Sequence, residues 1–173
     1  MSTPYPTNMQ IKKIVYLAVL VSVGVVLNLL EPVQLFPLLP GAKLGLANLS
    51  TLLTIIMFPN FEGILVAILR TIVSTIFRGT LNWISFGTSF FGGVGAAIVM
   101  TLLYKSFKKN ISIVGISAVG GIVNNVIQAI FVYLVTNNVT FLYYILFLIP
   151  IGGVAGSLIG ILTNVVYNRM AKL

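Results

Sequence analysis

Long apolar runs, broken by short clusters of proline, glycine, asparagine and charge, organise this chain from end to end. The runs are continuous rather than alternating, which argues against the period-two pattern of a membrane β-barrel and for bundled helices. Breakers and hydropathy together predict six helical spans, at 14–30, 44–58, 61–76, 83–104, 113–135 and 141–166. About 20 residues are needed to cross a ~30 Å hydrocarbon core, so the second and third spans are short. Pro59 and Asn60 separate those two, and Gly79, Thr80, Asn82 and Trp83 mark the next turn, with Trp83 suited to a membrane interface.

Composition turns a helical pattern into a membrane one. The 173 residues are 58% hydrophobic and only 7% charged, with a mean hydropathy of +1.11, more apolar surface than a chain of this size hides in water. The expected fold is all-α, a polytopic membrane protein with six transmembrane helices forming a single transmembrane domain over 1–173.

The net charge of +8 does not point to nucleic acid, because the basic residues sit at the edges of apolar spans instead of forming a stripe with interleaved aromatics. Lys12, Lys13, Lys105, Lys108, Lys109, Arg169 and Lys172 all fall on one side of a six-span chain, and the positive-inside rule makes that side cytoplasmic. Both termini are then cytoplasmic and the protein is a multi-pass resident of the cell membrane. The first span resembles a signal peptide in being preceded by Lys12 and Lys13, but its apolar run is too long and no small-residue cleavage site follows, so it is expected to be retained.

The chain has no cysteine, histidine or aspartate. Thiol chemistry, the usual metal ligands and the usual general base are therefore missing, and no metal or cofactor is expected. Glu31 and Glu62 are the only acids, on opposite sides of the membrane in this topology, so a paired-carboxylate mechanism is hard to build.

Three cations break the positive-inside pattern: Lys43, Arg70 and Arg78. Arg70 falls near the middle of the third span, where an arginine costs about 2.5–3.5 kcal/mol on insertion scales and must face protein or a wet cavity. At 100° per residue, Arg70, Thr71, Ser74, Thr75 and Arg78 share one arc, opposite Leu65, Leu69, Ile72 and Ile76. In the fifth span Ser117, Gly121, Asn124, Asn125 and Gln128 cluster similarly without charge. Asn28 and Glu31 close the first span, and Lys43 and Asn48 open the second, at the same outer depth.

One reading is a pocket open to the outside, with amides and hydroxyls for hydrogen bonding and cations for an anionic group. The other is that Asn124, Asn125 and Gln128 join helices, at roughly 0.6–2 kcal/mol each, with no ligand. For the amides both readings stand. For the three cations a site is favoured, although Arg70 has Glu31 as a possible partner, because one carboxylate cannot neutralise three cations. Pro32, Pro37 and Pro40 stiffen the connecting segment. Small residues four apart, Ala18 and Ser22 in the first span and Gly152, Gly156 and Gly160 in the sixth, make faces for close helix approach. Packing within the bundle is expected for the glycines of the fourth and sixth spans, and docking of a partner for the Ala18 face.

Leu30-Glu31-Pro32, Pro40-Gly41-Ala42-Lys43-Leu44-Gly45-Leu46-Ala47-Asn48, Ala67-Ile68-Leu69-Arg70, and Asn125 with Gln128 together resemble the Gx transporter family, also labelled heptaprenyl diphosphate synthase component I. The resemblance covers nearly the whole chain. Members are similar to the substrate-binding S components of energy-coupling factor (ECF) vitamin transporters, six-helix proteins that bind a micronutrient from outside. It implies a transmembrane coupling protein and two cytoplasmic ATPases as partners. Where the family tends to carry histidine-asparagine in the fifth span, this chain has Asn124-Asn125, and Ala18 with Ser22 approximates the small-residue motif through which S components dock.

The synthase label does not fit the residues. Prenyl elongation uses paired aspartate-rich motifs to hold Mg²⁺ against a diphosphate, and no Walker A string GxxxxGK[ST] occurs either. The leading expectation is a noncatalytic, substrate-capturing transporter subunit. In it the outer segment 31–43 closes over a small anionic ligand, Lys43, Arg70 and Arg78 oppose its charge, and Asn48, Asn124, Asn125 and Gln128 read its polar edges. Glu31 completes the set. The alternatives are an accessory membrane subunit for isoprenoid or quinone synthesis, and a solitary secondary transporter, for which two acids offer few ion sites.

Overall fold

Residues 7–31, 45–79, 83–107, 110–170 and 172 are described by the computed structural model. Among them are six helices: α1 (Thr7–Leu30), α2 (Asn48–Met57), α3 (Glu62–Arg78), α4 (Trp83–Phe107), α5 (Ile113–Thr136) and α6 (Thr140–Met170). The segment 32–44, with Lys43 and the three prolines, lies outside the described residues, as do Thr80, Asn82, Lys108 and Lys109.

Each helix follows its expected span in order, and the boundaries that shift do so for local reasons. The second helix begins at Asn48 rather than at 44 because Gly45 sits at φ 72°, in the left-handed region that ends a right-handed helix. It stops at Phe58, whose extended backbone (φ −133°, ψ 85°) is what the following Pro59 demands. Gly79 (φ 64°) and Asn137 (φ 53°) close α3 and α5 in the same left-handed way. At the start of α5 the Ser112 hydroxyl accepts from Gly115 N at 3.0 Å, satisfying one of the free N–H groups there.

Four helices, α1, α4, α5 and α6, are long and apolar enough to cross a membrane. With 10 residues, α2 rises only ~15 Å, half of a hydrocarbon core. It compensates by position. Helix α2 packs against α1, α3, α4 and α6, so nearly every residue from Asn48 to Ile56 is buried. Around it the helices follow one another, α1 on α3, α3 on α4, α4 on α5 and α5 on α6. Leu52, Ile55 and Ile56 of α2 form the core with Ala96, Met100 and Tyr104 of α4 and Ile116 of α5.

The outer faces are apolar. Ile14, Val15, Val19 and Val26 of α1 and Leu146, Phe147, Val154 and Leu158 of α6 are exposed. On α3 the arc read from the sequence is turned inside out relative to a water-soluble helix: Arg70, Thr71 and Ser74 are buried, while Leu65, Leu69, Ile72 and Ile76 face outward. Such a surface is stable against lipid and not against water, and the chain is a multi-pass membrane protein.

The two ends of the bundle are distinct. At one, Lys13 Nζ lies 2.5 Å from Glu62 Oε1 and Lys105 Nζ stands 4.6 Å above the Phe61 ring. At the other, Arg78 meets the C-terminal end of α1. Glu31 and Glu62 thus lie at opposite ends, about 27 Å apart along α1 if measured from Lys13.

Helices α5 and α6 approach backbone to backbone. A Cβ on Gly121 would stand 2.2 Å from Gly152 O, and one on Gly156 would stand 2.4 Å from Ser117 O. The glycines of the sixth span therefore pack inside the bundle. Gly156→Leu is expected to force the two helices apart and to cost at least about 2 kcal/mol, read as a lowered unfolding midpoint in detergent. Gly153→Ala, whose Cβ would meet Ile122 Cδ1 at an ordinary 3.6 Å, should leave the midpoint unchanged or raise it, since alanine is the better helix former.

Candidate functional site

Arg70 is the centre of the polar interior. It is 3% exposed, on the inward arc of α3, level with the first turn of α2. Its Nη2 donates to Asn48 Oδ1 at 2.8 Å and its Nε to Thr51 Oγ1 at 3.2 Å. Asn48 and Thr51 are three apart and so share a helix face. Space for the guanidinium comes from two glycines. A Cβ on Gly24 of α1 would lie 2.9 Å from Arg70 Cδ and 2.4 Å from Ser50 Oγ, and one on Gly93 of α4 would lie 3.2 Å from Arg70 Nη2.

Glu31 is buried just past the end of α1, and its charge acts on Arg70. Its Oε1 also accepts from Gly45 N at 2.6 Å, joining the end of α1 to the approach to α2. Arg78, at the end of α3, is half-buried. Its Nη2 donates to Asn28 Oδ1 at 3.1 Å, to Glu31 O at 3.2 Å and to Asn28 O. A helix C-terminus leaves carbonyls without intrahelical partners, and a cation is the favoured group to meet them. Arg78 therefore fastens α3 to α1 as well as adding positive charge.

The amides of α5 divide between two tasks. Asn124 and Gln128 line a small cavity with Asn28, Glu31, Asn48, Arg70, Arg78 and Ser89. Gln128 is 1% exposed and its Oε1 has no hydrogen-bond partner. Asn125 is turned to α6, where its Nδ2 donates to Leu148 O at 3.3 Å, and it does not line the cavity. The room at the centre is about 20 Å³, enough for a water and too little for a vitamin-sized molecule.

Of the residues expected to form a site, the structure gathers Glu31, Asn48, Arg70, Arg78, Asn124 and Gln128 around one cavity, and sets Asn125 at its back. Lys43 lies outside the described residues. Thr51 and Gly24 escaped the sequence reading, and Gly93, expected to pack within the bundle, does so against Arg70 itself. The three-residue spacing from Asn48 was a signal for Thr51, whereas a lone glycine such as Gly24 in an apolar run carries none. Ala18 and Ser22 are exposed on α1, with the Ser22 hydroxyl donating to Ala18 O at 2.9 Å within the helix.

A roomier cleft, of about 660 Å³, lies at the opposite end. The start of α1, the turn between α2 and α3, and the last turns of α6 enclose it. Size and chemistry thus separate: the buried charge and the unpaired amide are at the small cavity, the volume at the far end.

The family model for heptaprenyl diphosphate synthase component I matches residues 20–166. No curated protein sequence matches the chain. Among solved structures, the S component of a bacterial ECF transporter has the same fold, with a TM-score of 0.64 over 94% of this chain and 97% of that chain, at 21% identity.

Removing the contact between Arg78 and α1 should loosen the bundle without unfolding it. In Arg78→Ala, amides near the end of α1 are expected to exchange with deuterium faster by roughly tenfold or more, the worth of charge-assisted hydrogen bonds. The middle of α4 should exchange as before.

Proposed function

The chain belongs to the heptaprenyl diphosphate synthase component I family, and we propose that it is the substrate-binding membrane subunit, the S component, of an ECF-type importer in the cell membrane. The observation that carries this reading is the buried Arg70 cluster, a charged and amide-lined cavity inside a bundle with an S-component fold. An arginine in hydrocarbon is costly enough to need a use. Here a small anion supplies one.

In this reading the ligand's negative group meets Arg70, with Arg78 and Lys43 adding positive potential at the mouth and Glu31 setting the net charge. Asn48, Asn124 and Gln128 hydrogen-bond its polar edges. We assign Asn125 to the α5–α6 interface instead. Gln128 Oε1, already out of water and without a donor, gains most from a ligand N–H or O–H. The cavity must widen to admit anything larger than a water.

The proposed topology has six spans within one transmembrane domain and both termini in the cytoplasm. Lys12, Lys13, Lys105 and Arg169 supply the positive-inside signal. Helix α2 need not face lipid along its whole length, since its neighbours enclose it. Transport would be driven by a transmembrane coupling protein and two cytoplasmic ATPases, because the chain has no Walker A string of its own. The exposed Ala18 and Ser22 face of α1 is the proposed docking surface. We read the protein as noncatalytic: it has no aspartate, and its two glutamates cannot meet.

The family description favours a second reading, an accessory membrane subunit for isoprenoid synthesis. Co-purification separates the two: a coupling protein and ATPases support the importer, and a prenyl synthase without an ATPase supports the accessory subunit.

The small molecules retained by the purified protein, identified by mass spectrometry, test the site itself. Arg70→Lys keeps the charge and loses the planar fork, and Gln128→Leu loses the amide; each should lower retention at least roughly tenfold, or about 1.4 kcal/mol. Asn125→Ala should retain the ligand and lower the unfolding midpoint. Equal retention by wild type and Arg70→Lys would remove Arg70 from the ligand set.

A further inference from the structure

Several oxygens that line the small cavity are already used inside the protein: Asn28 Oδ1 and Asn48 Oδ1 each accept from an arginine, and Glu31 Oε1 accepts from Gly45 N. Gln128 Oε1 is different. Its residue is 1% exposed, and no described residue donates to it. A buried acceptor in that condition costs on the order of 1–3 kcal/mol, so it calls for a donor that the chain does not supply.

Arg70 has the opposite need. Its guanidinium carries five N–H groups, and the hydrogen bonds to Asn48 and Thr51 engage two of them. The cation and the amide stand over adjacent positions of α4: a Cβ on Gly93 would lie 3.2 Å from Arg70 Nη2, and one on Gly92 would lie 2.7 Å from Gln128 Cγ. Consecutive α-carbons are about 3.8 Å apart, so the guanidinium and the amide border the same gap. Its room is about 20 Å³, the size of one oxygen-centred group.

Size and the two needs together select that group. A carboxylate oxygen accepts from Arg70 but meets Gln128 Oε1 as acceptor against acceptor. An ammonium donates to Oε1 and is repelled by the guanidinium. An amide edge has both functions but spreads them over two heavy atoms, whereas a hydroxyl has both on one oxygen. Resting on the capture reading above, we propose that this gap is a hydroxyl subsite, and that the small anion taken up carries an alcohol close to its charged group. The alcohol oxygen accepts from Arg70, and its O–H donates to Gln128 Oε1. The charged group is met by the other N–H groups of Arg70 and by Arg78.

Sodium glycolate, acetate and fluoroacetate, each titrated into the purified full chain at constant ionic strength, separate the hydroxyl from the charge. All three are small carboxylates, and only glycolate carries an O–H. Each should raise the unfolding midpoint in detergent with dose, and glycolate should do so at roughly tenfold lower concentration, the worth of one hydrogen bond to a buried acceptor. In Gln128→Leu the three should act at the same concentration, and the comparison on wild type stands alone if that variant fails to fold. Equal action of all three on wild type overturns the hydroxyl subsite and leaves the anion site in place, since Gln128 then turns its amide N–H groups to the carboxylate. A glycolate preference that survives in Gln128→Leu overturns the subsite as well. No rise with any of the three overturns the subsite and the anion site together.

Discussion

A guanidinium enclosed in a membrane protein has to be surrounded before anything else can be arranged. Arg70 imposes that condition here. Its hydrogen bonds require Asn48 and Thr51 on the first turn of α2, which brings that short helix into the middle of the bundle. Its bulk requires α1 and α4 to come near without side chains, which Gly24 and Gly93 allow. Its charge is answered by Glu31, whose own carboxylate also holds Gly45. Helices α1, α2, α3 and α4 thus meet around one side chain.

Much of this was legible in the sequence, and the reason is periodicity. The inward arc of α3 could be read because 100° per residue puts Arg70, Thr71 and Ser74 together whatever the neighbours are. The helix ends were legible at Pro59 and Gly79, where the backbone has little choice. The start of α2 was displaced because Gly45 turns left-handed, a state that a glycine permits and does not announce.

The division of the α5 amides was beyond reach for a different reason. Asn124 and Asn125 are adjacent, 100° apart on one helix, and only the positions of α4 and α6 decide which faces the cavity and which faces Leu148 O. The cleft beside Lys12 was equally hidden, since it results from two helices that fail to pack, and no local pattern encodes a missing contact. Lys43 could be named because, with Arg70 and Arg78, it breaks the positive-inside pattern, and its place in space lies outside the described residues.

The seam between α5 and α6 has a mechanical meaning. Backbone atoms meet backbone atoms at Gly121, Gly152 and Gly156, with no intervening side chains to change rotamer. Sliding there would drive carbonyls into α-carbons, so the pair behaves as a stiff beam. Around Arg70 the contacts run instead through the one long side chain of the arginine itself, which reaches Asn48 and Thr51 by hydrogen bonds. Of the walls around the cavity, the one that α5 contributes is therefore the one braced from behind by a second helix.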